Sequence, residues 1–293
     1  MKLTRVGSQL TNPNPLPTCS WYEQREYDDG APRAPTCSAE STPLGSDVAP
    51  HLCAAYLMKT GADICIDNAG NIRSDISSGD FTDEKLDAMF KYDNDVVVVE
   101  VSGADIVAAL EEAVESGIPG YIDWLNEVES ESGTGQYPYA AGLRFDADIS
   151  SSAGAERVSN VQVKSESGAW TDIDPAAMYK VAATAFVAGV GSFEGKGYYP
   201  ALAAGAGTAS SSFGVAADIF KEYVANVGTL EKLPQEEYST QSFTADPPAG
   251  DDSGTDGGNS DPPGDESTTS SASFTGLIYS LALGMLSGLV SIM

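Results

Sequence analysis

Histidine and basic residues are scarce in this chain. It has one histidine, His51, and only 15 lysines and arginines against 43 aspartates and glutamates in 293 residues. The formal net charge of −28 repels nucleic acid and anionic membrane surfaces, so we expect no nucleic-acid partner. A single histidine excludes a histidine-rich metal centre. His51 follows Pro50 on a predicted helix, where we expect it to pack or to face solvent. An anionic ligand needs a site at which several of the few lysines and arginines lie close together.

Cysteine is also scarce, and its distribution is uneven. The four cysteines, Cys19, Cys37, Cys53 and Cys65, all lie in the first quarter of the chain, and no pair has the C-x-x-C spacing of a zinc or redox site. Two interpretations stay open: buried free thiols, or two disulfides if the chain is extracellular. Of the three possible pairings, we prefer Cys53–Cys65 with Cys19–Cys37.

The two ends of the chain differ in hydrophobicity. The N-terminus, MKLTRVGSQL, lacks the apolar region of a signal peptide, whereas residues 274–293 are uncharged and long enough to cross a bilayer. This last segment predicts either a retained tail anchor or the signal for a glycolipid anchor, and the lack of a following basic flank favours the second. We therefore expect a membrane-anchored protein at the extracellular surface, whose missing signal peptide would reflect an incomplete N-terminus.

Composition divides the chain into four parts. Residues 1–35 are rich in proline and predict a linker or wrapping segment, and residues 36–243 carry the apolar patterns of a folded domain. Residues 244–273 predict a disordered acidic linker of Pro, Gly and Ser, because they contain no basic residue and little that could form a core. Residues 274–293 form the hydrophobic C-terminal segment.

Within the folded part, strand and helix patterns alternate. β-Branched or alternating runs predict strands over residues 62–66, 96–101, 143–147, 158–163 and 178–183, the last two joined by a turn at Ser167-Gly168. Apolar periodicity and capping signals predict helices over residues 45–59, 83–90 after the cap Thr82, 213–227, and the stretch that follows the capping box Ser102 to Asp105. The alternation predicts an α+β fold, a mixed β-sheet with flanking helices.

A polar turn follows the first of these strands. It reads Asn68-Ala69-Gly70-Asn71-Ile72-Arg73. Asn68 offers a donor and an acceptor, Gly70 lets the backbone approach a ligand, and Arg73 offers a planar fork of donors. From the residues alone this is either a small-molecule site at a strand end or an ordinary turn with an exposed arginine.

The order of motifs resembles the C-terminal domain of the 5′-nucleotidase family, which includes ecto-5′-nucleotidases and UDP-sugar hydrolases. The matching stretches, in order, are NAGNIR (68–73), SGDFT (78–82), Tyr92, the apolar run from Val96, GLRFD (142–146) and GKGY (195–198). The resemblance extends from about Val6 to Phe243.

The resemblance implies a nucleotide or nucleoside ligand and assigns roles to particular residues. Tyr92 and Tyr198 would stack on the two faces of the nucleobase, while Asn68, Gly70 and Arg73 would hold the sugar and polar groups. Gly195 and Gly197 belong to the same motif as Tyr198. The chain departs from the family where Lys91, Asp93 and Lys196 replace the usual Pro, Gly and Asp, and where residues 37–45 lack the usual Arg.

The resemblance also implies that hydrolysis belongs to a separate N-terminal domain that holds two metal ions. This chain contains no D-x-H or G-N-H segment for such a centre, so we expect no catalytic residue, no metal site and no cofactor in it, with divalent metals bound only if that other domain exists. Two functions follow. The first is the substrate-binding domain of a 5′-nucleotidase-like hydrolase; the alternative is a non-catalytic, surface-anchored nucleotide-binding module or degenerate paralogue.

Overall fold

The computed structural model describes residues 4–6, 46–74, 76, 79–125, 135–150, 156–194 and 197–244. Cys19, Cys37, Gly195 and the predicted linker and tail after Thr244 lie outside these residues.

The described residues form four α-helices and eleven strands. The helices are α1 (Ala49–Thr60), α2 (Asp83–Met89), α3 (Gly103–Leu125) and α4 (Ala216–Val227). The strands are β1 (Thr4–Val6), β2 (Ile64–Asn68), β3 (Gly79–Phe81), β4 (Val96–Ser102), β5 (Pro138–Ala141), β6 (Leu143–Asp148), β7 (Val158–Lys164), β8 (Trp170–Asp172), β9 (Met178–Thr184), β10 (Thr229–Leu230) and β11 (Thr240–Thr244).

The strands form three sheets. The central sheet has the order β4-β9-β2-β5, in which β9 and β2 are parallel and the two outer pairs are antiparallel. The second sheet has the order β11-β6-β7-β8, and a small third sheet has the order β10-β1-β3. The predicted α+β fold, with mixed sheets and flanking helices, is confirmed.

The hydrophobic core includes the buried faces of the central sheet and of the helices. α1 packs against α4 and against the central strands β2, β5 and β9. Phe220 of α4 is fully buried and contacts Phe81 and Phe90, each with ring centroids 5.9 Å apart. Aromatic pairs at this distance stabilise a core beyond the area they bury. The helices thus fix the strands from which the candidate site extends.

Two predicted helix starts are confirmed at atomic level. The Thr82 hydroxyl accepts a hydrogen bond from the Lys85 amide, which caps α2. At the start of α3, the Ser102 amide donates to the Asp105 carboxylate, and the Asp105 amide donates to the Ser102 hydroxyl. This reciprocal pair satisfies amide groups that have no partner inside the helix.

The predicted turn at Ser167-Gly168 connects different strands from those expected. It joins β7 to the short strand β8, not to β9, so the predicted 158–183 hairpin was wrong. β8 is only three residues long, so its sequence shows no apolar alternation. Its Trp170 ring packs on basic side chains: the Arg144 guanidinium carbon lies 4.4 Å and the Lys164 ammonium 5.5 Å from the ring centroid.

Three predicted elements have other bounds than expected. α1 begins at Ala49, not at residue 45, and ends at Thr60. β2 begins at Ile64 and ends at Asn68, two residues later than predicted at both ends. α4 begins at Ala216, not at Phe213, because the Phe213 amide donates to the Val96 carbonyl.

The outer edge of β4 is covered by the segment 208–213. The Val98 amide donates to the Ser210 hydroxyl at 3.0 Å, and the Glu100 amide donates to the Thr208 hydroxyl at 2.8 Å. The Ser210 amide donates back to the Val98 carbonyl at 2.9 Å. Side-chain hydroxyls therefore take the place of a neighbouring strand along this edge.

A disulfide joins Cys53 of α1 to Cys65 of β2, and the two Cα atoms are 5.4 Å apart. Both residues are fully buried. The bridge therefore attaches the helix to the strand beneath it, from inside the core. No helix of the described ranges is long and apolar enough to cross a membrane.

Candidate functional site

One end of the central sheet gathers the predicted site segments. Val96, the first residue of β4, pairs with Thr184, the last residue of β9. β2 runs parallel to β9, and its last residue, Asn68, pairs with Pro138, the first residue of β5. Four segments therefore leave or enter the sheet at the same end, which we call the rim: 68–73, 90–95, 135–138 and 185–194. Segment 197–199 also belongs to the rim, because Gly197 lies directly against Gly189.

The 68–73 turn is held to the rim by its own chain. The Asn68 side-chain amide donates to the Gly135 carbonyl at 2.8 Å, and the Gly70 amide donates to the same oxygen at 2.9 Å. A Cβ on Gly70 would lie 3.2 Å from that oxygen. Both residues are buried. The groups predicted to contact a ligand thus make contacts that fasten the turn to the start of β5.

Arg73 and Tyr92 meet at the rim. The guanidinium carbon of Arg73 lies 5.7 Å from the Tyr92 ring centroid, and the Lys91 ammonium lies 5.7 Å from the same centroid. Tyr92 is 50% exposed, an unusual fraction for an aromatic ring in this fold. The Arg73 amide donates to the Met89 carbonyl, which fixes the end of the turn. Two cations and an exposed aromatic face are therefore concentrated in one place.

Tyr198 lies at the rim within a group of aromatic side chains. Its ring centroid is 4.6 Å from that of Phe186, which in turn is 5.3 Å from that of Phe193. The next residue, Tyr199, is fully buried, and its hydroxyl donates to the Gln136 carbonyl at 2.7 Å. Tyr199 anchors the segment, which leaves Tyr198 half-buried beside it. Phe186 and Phe193 were not predicted from the sequence.

Gly197 is explained by packing within the chain. A Cβ at this position would lie 2.5 Å from the Gly189 Cα, 2.6 Å from its nitrogen and 2.9 Å from the Phe186 carbonyl oxygen. All three atoms belong to the backbone, so none can move aside like the end of a side chain. The glycine lets the segment that carries Tyr198 lie directly on the turn after β9.

Sequence reasoning missed a buried carboxylate beneath the rim. Asp67 is 1% exposed and accepts hydrogen bonds from the Tyr56 hydroxyl at 3.1 Å, the Asn71 side-chain amide at 2.7 Å and the Asn68 backbone amide at 2.9 Å. The Asn94 side-chain amide extends this network, since it donates to the Asn71 side-chain carbonyl at 3.4 Å. The available signal was an acidic residue directly after the apolar residues Ile64, Cys65 and Ile66 of a strand.

Burial raises the pKa of the Asp67 carboxyl from 3.8 to about 6, although its hydrogen bonds oppose the shift. Because the folded pKa is higher than the unfolded one, the folded state takes up the proton first. The resulting stabilisation is complete below pH 3.8 and is lost as the pH rises through 6.

We expect this titration to be visible in a comparison with the Asp67→Asn variant, which cannot ionise at this position. Between pH 7 and pH 5, the free energy of unfolding of the wild type should rise relative to the variant by roughly 1 kcal/mol. Denaturant titrations at both pH values measure the difference. Because both proteins contain every other titrating group, a difference that stays constant with pH would show that Asp67 does not titrate in this range.

His51 packs, which is one of the two roles predicted for it. It lies in α1, is 3% exposed, and contacts the Tyr223 hydroxyl at 3.1 Å and the Glu231 carbonyl at 2.7 Å. Burial lowers its pKa. Among the residues that the structure describes, no three His, Cys, Asp or Glu side chains form a group that could hold a metal ion.

A groove of about 690 Å³ lies at the opposite end of the central sheet. Ile64 of β2, Ala141 of β5, and Met178 and Tyr179 of β9 contribute to its walls. Gly142 of the GLRFD motif also lies on its wall, but none of the residues predicted to contact a ligand does, so the rim stays the candidate site.

Comparisons with known proteins agree with the fold and the motifs. The family model described as 5′-nucleotidase, C-terminal domain, matches residues 27–202, more than half of the chain. A "Probable 5′-nucleotidase" of Treponema pallidum is 29% identical over 126 residues, and the NAD 5′-nucleotidase of Haemophilus influenzae is 29% identical over 128 residues. Each match covers 43% of this chain and 19% of the relative, so the matched part of the chain corresponds to about a fifth of those proteins' length.

The solved structure of the NAD nucleotidase of Haemophilus influenzae has the same fold. It superposes with a TM-score of 0.62 over 84% of this chain and 38% of that chain, at 20% identity. With the family model matching more than half of its residues, the chain belongs to the family of 5′-nucleotidase C-terminal domains.

Proposed function

We propose that the rim binds a nucleoside or nucleotide, and that the chain is the substrate-binding part of a 5′-nucleotidase-type hydrolase whose divalent metals are bound elsewhere. The observation that carries the proposal is the placement of Arg73 beside the half-exposed ring of Tyr92, at the sheet end where Tyr198 also lies. Anchoring through residues 274–293 and an extracellular location stay predictions.

The chemistry of these side chains suits a nucleoside. An exposed tyrosine face can stack on a nucleobase, which contributes about 1–3 kcal/mol per base. The Arg73 fork can donate to ribose hydroxyls or to base acceptors, and Lys91 adds a second positive charge for an anionic group. The surrounding net charge of −28 opposes an anionic ligand at long range, so added salt should strengthen nucleotide binding by screening that repulsion.

Calorimetric titration with nucleosides and nucleotides tests the proposal. Tyr92→Ala and Tyr198→Ala should each weaken binding by about 1–3 kcal/mol, whereas Tyr92→Phe should change it little because the ring face does the stacking. Arg73→Ala should weaken binding without unfolding the domain, since the backbone amide of Arg73, not its side chain, bonds to Met89.

Tyr179→Ala is the matched control for these variants. Tyr179 is a half-buried tyrosine of β9 that pairs with Val101 at the far end of the sheet, so its removal should leave binding unchanged. A wild-type protein that gives no heat and no thermal shift with saturating ligand would refute the proposal. So would equal affinities for the wild type and both rim tyrosine-to-alanine variants.

A further inference from the structure

Beneath the rim, side-chain hydrogen bonds form a network with a defined direction from donor to acceptor. The Asn94 side-chain nitrogen donates to the Asn71 side-chain oxygen at 3.4 Å, and the Asn71 side-chain nitrogen donates to the Asp67 carboxylate at 2.7 Å. The Asn71 nitrogen also lies 3.2 Å from the Tyr56 hydroxyl oxygen, and that hydroxyl donates to Asp67. Every donor in the network points toward the buried carboxylate.

We infer that Asp67 is a positioning residue: its carboxylate orients the side-chain amides of Asn71 and Asn94, and so joins the 68–73 turn to the segment that carries Tyr92. An ionised carboxylate only accepts hydrogen bonds. It therefore requires the nitrogen end of the Asn71 amide. The oxygen end of that amide is left for Asn94, which must in turn offer its nitrogen.

The backbone around Asn94 explains why this link matters. The backbone carbonyl of Asn94 accepts a hydrogen bond from the Ala216 backbone amide at the start of α4. The backbone amide of Asn94 donates to the Tyr92 backbone carbonyl, and both distances are 2.9 Å. Tyr92, Asn94 and α4 thus form one connected piece. The Asn94 side chain connects this piece to Asn71 and through it to β2. Because the network is buried at Asp67, a wrongly oriented amide there cannot be compensated by water.

The direction of this hydrogen-bond network can be reversed by exchanging the residue types at positions 67 and 94. In an Asp67→Asn variant, the new amide nitrogen can donate to the Asn71 oxygen and to the Tyr56 oxygen, provided that the Asn71 amide turns over. The turned Asn71 amide then offers its nitrogen to position 94, where an aspartate accepts it. The Asp67→Asn/Asn94→Asp protein keeps the net charge and side-chain sizes of the wild type. Its hydrogen bonds run in the opposite direction, from position 67 through Asn71 to the carboxylate at position 94.

Thermal unfolding of the four proteins at pH 8 measures the coupling between the two positions. Asn94→Asp alone should lower the melting temperature by about 3–6 °C, because two carboxylates then require the single Asn71 amide nitrogen. In the Asp67→Asn background, the same change should lower it by less than half as much. Equal losses in both backgrounds would overturn the inference.

Asn226→Asp serves as the control in both backgrounds. Asn226 has an exposed side-chain contact with Met58, away from the rim, so the variant measures the general effect of one more negative charge on an acidic protein. Its effect should be the same whether residue 67 is Asp or Asn. If the effect of Asn226→Asp on the melting temperature depended on residue 67 as strongly as that of Asn94→Asp, long-range charge repulsion would explain the coupling. That result would also overturn the inference.

Nucleoside titration of the same four proteins extends the test to the site, and this arm rests on the proposed function. Asn94→Asp should raise the dissociation constant by at least about threefold, and the double variant should recover most of that loss, because Tyr92 is held again. Loss of affinity without recovery would contradict positioning of Tyr92 by this network. A wild type that binds no nucleoside would refute the proposed function, whereas the melting temperatures would still decide the role of Asp67.

Discussion

The Cys53→Ala/Cys65→Ala variant should unfold at a melting temperature about 6–12 °C lower than the wild type, corresponding to a loss of about 3 kcal/mol in the free energy of unfolding. The bridge spans 12 positions and restricts the unfolded chain, in which the helix and strand would otherwise separate freely. Alanine is the suitable replacement because both sulfurs are buried, and serine would add unsatisfied hydroxyls.

Denaturant titration and calorimetry measure this loss, with wild-type protein in reductant as the control. Reduced wild type should be no more stable than the variant in the same reductant, since both then lack the Cys53–Cys65 bridge and any bridge between Cys19 and Cys37. The oxidised wild type and the variant should differ by the full amount. Equal stability of the oxidised wild type and the variant would show that the bridge contributes nothing to folding.

Gly197→Ala should be the most damaging single substitution at the rim. Its Cβ would lie 2.5 Å from the Gly189 Cα and 2.9 Å from the Phe186 carbonyl oxygen, so one of the two backbone segments must move. Overpacking of this kind costs about 1–3 kcal/mol of stability. The adjacent Tyr198 would move with the segment. We therefore expect nucleoside affinity to fall at least as far as in Tyr198→Ala, together with a lower melting temperature.

Gly207→Ala is the matched control for this substitution. A Cβ at Gly207 meets no atom within 4 Å, and its backbone is not in a conformation reserved for glycine. The control variant should therefore keep the stability and affinity of the wild type. If Gly197→Ala also kept both, the close approach of the two backbones would not be a constraint on the site.

Local patterns predicted the elements whose formation depends on nearby residues. The start of α2 at Thr82 and the capping box of α3 were predictable, because both are made by residues three positions apart. β4 was predictable as a strand because its valines are β-branched, although only the face of Val97, Val99 and Val101 is buried throughout and Glu100 is exposed. The β7–β8 hairpin was missed because β8 is three residues long and its tryptophan packs on basic side chains.

The residues of the candidate site were partly predictable from the sequence, but most of their contacts were not. The motif order predicted Tyr92 and Tyr198 but not Phe186 at the rim. The strand register brings Tyr92 to the end of the sheet where β9 ends, and contact with Phe186 places Tyr198 there. The use of Asn68 and Gly70 within the fold was not predictable, because both contact Gly135, more than sixty residues away. The role of Asp67 depends on Tyr56 from a separate helix, a pairing that no spacing in the sequence indicates.

The hydroxyl-covered edge of β4 bears on how this protein behaves at high concentration. A bare edge strand offers a row of backbone amides and carbonyls to which another chain can add a strand, and such addition leads to aggregation. Here Thr208 and Ser210 already occupy the amides of Glu100 and Val98. β4, one of the two seven-residue strands of the central sheet, therefore has two of its outer amides bonded to small polar side chains, so these amides are not offered to another chain.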